Sequence, residues 1–171
     1  IPSSISLAEI HRPIVMVDRY VTEGIPCIHS DHKRGGELAA QALLSAGCKN
    51  VLYFASSATE RGYSMDRYRR FAEVCKQHKC KITAIDAGSK IPNFQSGPTI
   101  WKKYISYFDG IDGLFTADVT AAACMKMLQK KGIKIPKKLK VVGYDGLDFT
   151  RFLTPELTTV RQNVPEIAKR S

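Results

Sequence analysis

Residues 141–162 read VVGYDGLDFTRFLTPELTTVRQ, and this stretch decides the fold. An uninterrupted apolar run ends in Tyr144-Asp145-Gly146. Such a run belongs to a strand covered on both faces, as in a parallel sheet. Asp145 sits at its carboxyl end. The residues after it contain a proline and no apolar helical spacing, so a helix-capping role does not explain the acid. A ligand role does, because ligands of open parallel sheets bind at that rim. After Thr154-Pro155 the chain returns as a β-branched run, Leu157 to Val160, which predicts a further extended segment.

Working outward, strand-like and helix-like segments alternate. PIVMVD (13–18), IPCIH (25–29), NVLYFA (50–55), KITAID (81–86), GLFTA (113–117) and LKVVGYD (139–145) read as strands. HKRGGELAAQALLSAG (32–47) reads as a helix. Leu38, Ala39, Ala42 and Leu43 form its apolar face, Ser30 or Asp31 its cap, and Gly47 its stop. Residues 65–79 predict a helix with Phe71, Val74, Cys75 and His78 on one stripe. Residues 98–108 predict another, with Ile100, Tyr104 and Phe108 in line and Trp101 packing in the core; residues 119–132 predict a third. The class is α/β, with doubly wound parallel sheets.

The chain of 171 residues is 44% hydrophobic, enough for a core. It holds no apolar run of membrane-spanning length, and its start reads as mid-chain sequence rather than a signal peptide. The net charge of +10 suits an acidic partner, but Lys130, Lys131, Lys134, Lys137, Lys138 and Lys140 gather at one helix end, where cations complement the dipole. No aromatics interleave with them, which disfavours a nucleic-acid platform. The five cysteines, Cys27, Cys48, Cys75, Cys80 and Cys124, form no C-x-x-C pair and read as buried thiols in a reducing compartment.

Every strand delivers polar groups at its carboxyl end: Asp18, Asp31, Ser56 with Ser57 and Arg61, Asp86 with Phe94 in the loop beyond, Thr116 with Asp118, and Asp145. Asp31 and Asp118 also fit helix caps. Arg67, at a helix start, opposes the dipole there. A nearby acid or an acceptor-rich ligand would account for it. His29 and His32 flank Asp31, but no further Cys or His gathers beside them, which disfavours a metal. No nucleophile elbow, phosphate loop or dinucleotide fingerprint is present. Gly35-Gly36 lacks the rest of a phosphate loop. The chain gives no catalytic residue, metal ligand or cofactor site.

The blocks RPIVMVDR, SDHKRGGELAAQALLSAGCKNVLYF, an Arg-x5-Arg loop before Phe71, GLFTADVTAAACMKMLQKKGIKIPKKLKVVGYDG and FLTPELTTVRQ together resemble the effector-binding core of the lactose-repressor (LacI/GalR) family. The resemblance runs from about Arg12 to Arg170. It implies a periplasmic-binding-protein-like type I fold of two Rossmann-like lobes with a small molecule between them. Residues 1–30 and 161–171 would be remnants of the N-terminal lobe, and 31–160 the C-terminal lobe. By motif position, Asp18, Arg61, Arg67, Phe94, Asp118 and Asp145 would line the effector cleft. Ala117 stands where many relatives carry Asn.

The resemblance further implies an intracellular, cytoplasmic repressor that senses a sugar or sugar-like effector. It would control an operator allosterically through an N-terminal helix-turn-helix absent from this stretch. A homodimer is expected, with Phe149, Phe152 and Leu153, on a loop, as its apolar contact. Neither a membrane nor an enzymatic role is implied. The alternative is a periplasmic or extracellular sugar-binding protein of an uptake system.

Overall fold

A computed structural model describes residues 12–18, 24–55, 64–86 and 103–171. Two short strands, β1 (Met16–Val17) and β2 (Cys27–Ile28), pair in parallel as a separate sheet. The main sheet holds β3 (Asn50–Ala55), β4 (Lys81–Asp86), β5 (Gly113–Phe115), β6 (Lys140–Asp145) and β7 (Thr158–Arg161). Its order is β4-β3-β5-β6-β7, and every pairing is parallel. The helices are α1 (His32–Ser45), α2 (Ser64–Gln77), α3 (Asp118–Lys130) and α4 (Val164–Arg170).

The strand alternation divides the core into two layers. Val51 and Tyr53 face α1 and α2, where they meet Leu43, Phe71, Cys75, Phe115 and Tyr144. Leu52 and Phe54 face the other way, against Tyr104, Phe108, Cys124 and Leu128. Burial on both faces is why these strands read as continuous apolar runs.

Glycines set how closely the layers approach. A β-carbon at Gly36 would collide with the Arg67 carbonyl, so this residue lets α1 and α2 touch backbone to backbone. A β-carbon at Gly35 would strike the Tyr144 ring. The paired glycines are therefore packing residues of α1.

Several expectations shift in detail. Leu38 lies exposed, and Ala40 takes its place in the buried face of α1. His78 falls beyond α2, on the surface, where its Nδ1 lies 2.9 Å from the Val74 carbonyl; Lys79 then turns the chain with a φ of 55°. The 98–108 helix is seen from residue 103 onward and ends in a 3-10 turn, Ser106–Phe108; Ile100 and Trp101 lie outside the described residues. Phe149 and Phe152 sit on a 3-10 helix, Asp148–Phe152, capped by Leu153, rather than on an irregular loop. Helix α4, not anticipated, starts at Asn163, whose side chain accepts from the Glu166 amide.

Candidate functional site

The parallel strands bring their carboxyl ends to one rim. Asp145 closes β6 with a φ of 124°, and Asp18 follows β1 with a φ of 54°. Both are non-glycine residues in conformations that cost on the order of 1–3 kcal/mol and gather at functional sites. Gly146, φ 74°, then passes against Arg161, leaving no space for a side chain.

Asp145 is held from β7. The Gln162 side-chain amide donates to its Oδ1 at 2.8 Å, and the Gln162 backbone amide donates to its carbonyl at 3.2 Å. The Ser30 hydroxyl donates to the side-chain Oε1 of Gln162 at 2.6 Å. Three segments, the end of β2, β6 and β7, thus share one polar chain. Burial raises the Asp145 pKa above its ordinary value, and the charges of Asp118 and Asp18 add to this; Gln162 and Arg67 oppose it. Asp18 reaches this rim through His32, whose Nε2 lies 3.7 Å from its Oδ1.

Arg67 packs on an aromatic ring. Its guanidinium lies 4.0 Å from the centroid of the Tyr144 ring, a cation–π contact that helps offset its place at a helix start. Tyr144 is buried, with its hydroxyl pKa pushed up to about 12, mainly by desolvation. Its oxygen lies 3.1 Å from Nδ1 of His32.

Asp118 departs from the cap expected of it. Ala117, not Asp118, occupies the cap of α3. The Asp118 carboxylate points inward and is wholly buried. Its Oδ1 accepts from the Thr159 hydroxyl at 2.6 Å, and its Oδ2 accepts from the Leu147 amide at 2.8 Å. Burial raises its pKa, against the pull of these donors. Gly143 leaves the room it fills. In this arrangement Asp118 braces the loop after β6 through the Leu147 amide. Asp31, by contrast, caps α1 as its spacing suggests, accepting from the Arg34 amide at 2.8 Å.

Arg61 and Phe94 lie outside the described residues. The Thr116 hydroxyl is buried with no hydrogen-bond partner among the described residues. His29 and His32 stack, ring centroids 5.9 Å apart. No group of three metal-binding side chains occurs among the described residues. Sequence reasoning missed Gln162, Ser30 and the joining role of Tyr144. The rule that exposed Asp145 also covers Gln162, since both stand at strand carboxyl ends.

Beside the rim, between β2, α1, β7 and α4, lies a cavity of about 490 Å³ lined in part by His29, Ser30, Tyr144 and Gln162. Asp145 opens on a neighbouring hollow, also about 490 Å³. These volumes suit a small polar ligand. Fold and rim together define an open parallel α/β unit whose hydrogen-bonding groups converge at the ends of its strands.

Residues 40–171 match the periplasmic binding protein-like domain, and the chain belongs to that family. Its relatives include the ribose operon repressor of Halalkalibacterium halodurans, 33% identical over 162 residues, 93% of this chain and 47% of that protein. The sucrose operon repressor of Streptococcus mutans is 30% identical over 161 residues, 94% and 48% respectively. The chain spans about half the length of these relatives. They are transcriptional repressors of the LacI family, not enzymes. Among solved structures, a periplasmic binding protein/LacI transcriptional regulator from Alkaliphilus metalliredigens, complexed with D-xylulofuranose, superposes with a TM-score of 0.79 at 26% identity, covering 96% of this chain and 61% of that one.

Proposed function

We propose that this chain is the effector-sensing part of a cytoplasmic bacterial transcriptional repressor, and that it binds a sugar or sugar-like molecule in a cleft between two lobes. The observation that carries this reading is the Ser30–Gln162–Asp145 chain at the rim. Its acceptors and donors suit paired hydroxyls. Asp145 accepts from the ligand, Gln162 orients Asp145, and Asp18 and Arg67 complete the polar edge; Arg61 and Phe94 would extend it. Asp118 supports the loop from below. The repressor relatives favour this reading over an uptake protein.

Residues 31–160 would form the C-terminal lobe, with 1–30 and 161–171 belonging to the N-terminal one. The separate β1–β2 sheet supports that division. Effector binding at the rim would shift the balance of lobe arrangements, and with it the DNA affinity of a helix-turn-helix elsewhere in the whole protein. Moving such a balance from mostly one state to mostly the other takes about 5.5 kcal/mol of differential affinity. A homodimer through Phe149, Phe152 and Leu153 would complete the regulator; Phe152 is 86% exposed.

Thermal-shift measurements against D-ribose, sucrose, D-xylulose and sugar phosphates test the reading. The true effector at 100 times its dissociation constant should stabilise by about 2.7 kcal/mol. Indifference to every sugar would overturn it.

A further inference from the structure

His32 opens α1, yet it is only 7% exposed and joins groups from three other elements. Its Nδ1 lies 3.1 Å from the Tyr144 hydroxyl of β6. Its Nε2 lies 3.7 Å from Oδ1 of Asp18, just past β1. Tyr144 in turn carries the Arg67 guanidinium of α2 on its ring. A line of contact, Asp18–His32–Tyr144–Arg67, therefore runs from the small sheet to the helical layer of the large one. His29, stacked on His32, and Asp31 complete the charged and titratable groups facing it.

A neutral imidazole has one donor nitrogen and one acceptor nitrogen. The Tyr144 hydroxyl keeps its proton, with a pKa near 12, and can donate it to Nδ1. The ring proton then sits on Nε2, toward the Asp18 carboxylate. This one tautomer gives the hydroxyl an acceptor at 3.1 Å and turns a donor toward the carboxylate 3.7 Å away.

We infer that His32 is a positioning residue of the rim: as the neutral Nε2–H tautomer it holds the Tyr144 hydroxyl, and with it the ring that carries Arg67, at one nitrogen, and turns its N–H toward the rim carboxylate of Asp18 with the other. The geometry stands independently; its consequence for a sugar rests on the proposed cleft. Acid breaks the arrangement. Protonation turns Nδ1 from acceptor to donor, forces the Tyr144 hydroxyl to turn, and puts a cation near Arg67. Burial first, then Arg67 and the weaker push of His29, lower the His32 pKa, while Asp18 and Asp31 raise it. The neutral form therefore prevails above the ordinary histidine range.

The test uses the 15N-labelled chain and long-range proton–nitrogen correlation spectra, with His32 assigned by its loss in His32→Gln. The expected result is the Nε2–H tautomer at pH 7.5, with Tyr144→Phe shifting the Nδ1 resonance and Asp18→Asn lowering the titration midpoint. An Nδ1–H tautomer overturns the inference, as does a His32 signal indifferent to Tyr144→Phe. Calorimetry with D-ribose and with sucrose at pH 7.5 and 5.5 reads the consequence. Wild type should lose affinity on acidification, by less than about tenfold because the His32 pKa lies below 6.5. His32→Gln, which keeps a donor near Asp18 but does not titrate, should bind more weakly yet lose much less on acidification. Equal pH dependence in both proteins overturns the positioning role. Failure of both sugars to bind at either pH overturns it together with the cleft reading, and the tautomer measurement tells that failure apart from wrong geometry.

Discussion

The side-chain amide of Gln162 lies 2.8 Å from the carboxylate of Asp145, and the two residues also pair through their backbones at 3.2 Å. The acid at the end of β6 is thus oriented by the first residue after β7. Asp145→Ala should lower calorimetric affinity for the effector by about 1–3 kcal/mol, the cost of leaving hydroxyl partners unpaired. Gln162→Ala should cost less, because it frees the carboxylate without deleting it. Equal affinity in Asp145→Ala and wild type would remove Asp145 from the site.

Asp118 should behave as a stability residue. Asp118→Ala leaves the half-buried Thr159 hydroxyl and the Leu147 amide without their acceptor. A loss of about 1–3 kcal/mol is expected, since water can reach part of what the carboxylate held. Urea unfolding should show Asp118→Ala to be less stable than Asp145→Ala, with Asp118→Asn between them.

Stability should change with pH in two opposed ways. The His32 pKa is lowered in the folded chain, so the unfolded chain binds more protons below the ordinary value of 6.5. Stability from this group is complete above 6.5 and is lost as pH falls toward the folded pKa. The pKa values of Asp118 and Asp145 are raised above the ordinary 3.8. In the window between 3.8 and their folded values the native state binds more protons, so these acids favour folding as pH falls. Urea midpoints from pH 4 to 8 should decline below 6.5 in wild type. That decline should flatten in His32→Gln, while Asp145→Asn should remove part of the opposing acid-side gain.

Gly36→Ala sets helix propensity against packing. Alanine is favoured by about 1 kcal/mol in a helix interior. The new methyl, however, meets the Arg67 backbone carbonyl, which cannot swing aside as a side-chain tip can. Overpacking of this kind costs about 1–3 kcal/mol or more. A net loss of thermal stability is expected, and a gain would mean that α1 and α2 separate easily.

Phe152→Asp should leave unfolding nearly unchanged, since the ring is 86% exposed. If the ring seals a dimer, sedimentation should show weaker self-association in the variant. Identical association in the variant and wild type would exclude this ring from the contact.

The sequence exposes the inner strands of the sheet well because they are covered on both faces, as β5 and β6 are. Edge strand β4 is mostly exposed, yet β3 and β4 both span the segments read as strands. Short α4 escapes this logic: seven residues hold too few apolar positions for a periodic stripe, although Asn163, Pro165 and Glu166 form a readable start. Arg67 is conspicuous at a helix start, but the ring it packs on lies 77 positions away on β6, a distance no local pattern spans. Asp118 looked like a cap because capping acids occupy such places. What turns it inward is Gly143, an unfilled position in an apolar strand that marks close approach by another group. His32 drew notice only for its neighbour His29, while its real partners come from β1 and β6.

Strand β7 has an inheritance consequence. Thr159 secures the buried Asp118, and three residues on Gln162 steers Asp145. An engineered or natural exchange of specificity between relatives cannot transplant Gln162 by itself without regard to its strand. The transferable unit is 157–162 together with Asp118 and Asp145, and chimeras joined inside that unit should be poorly folded or blind to their ligand.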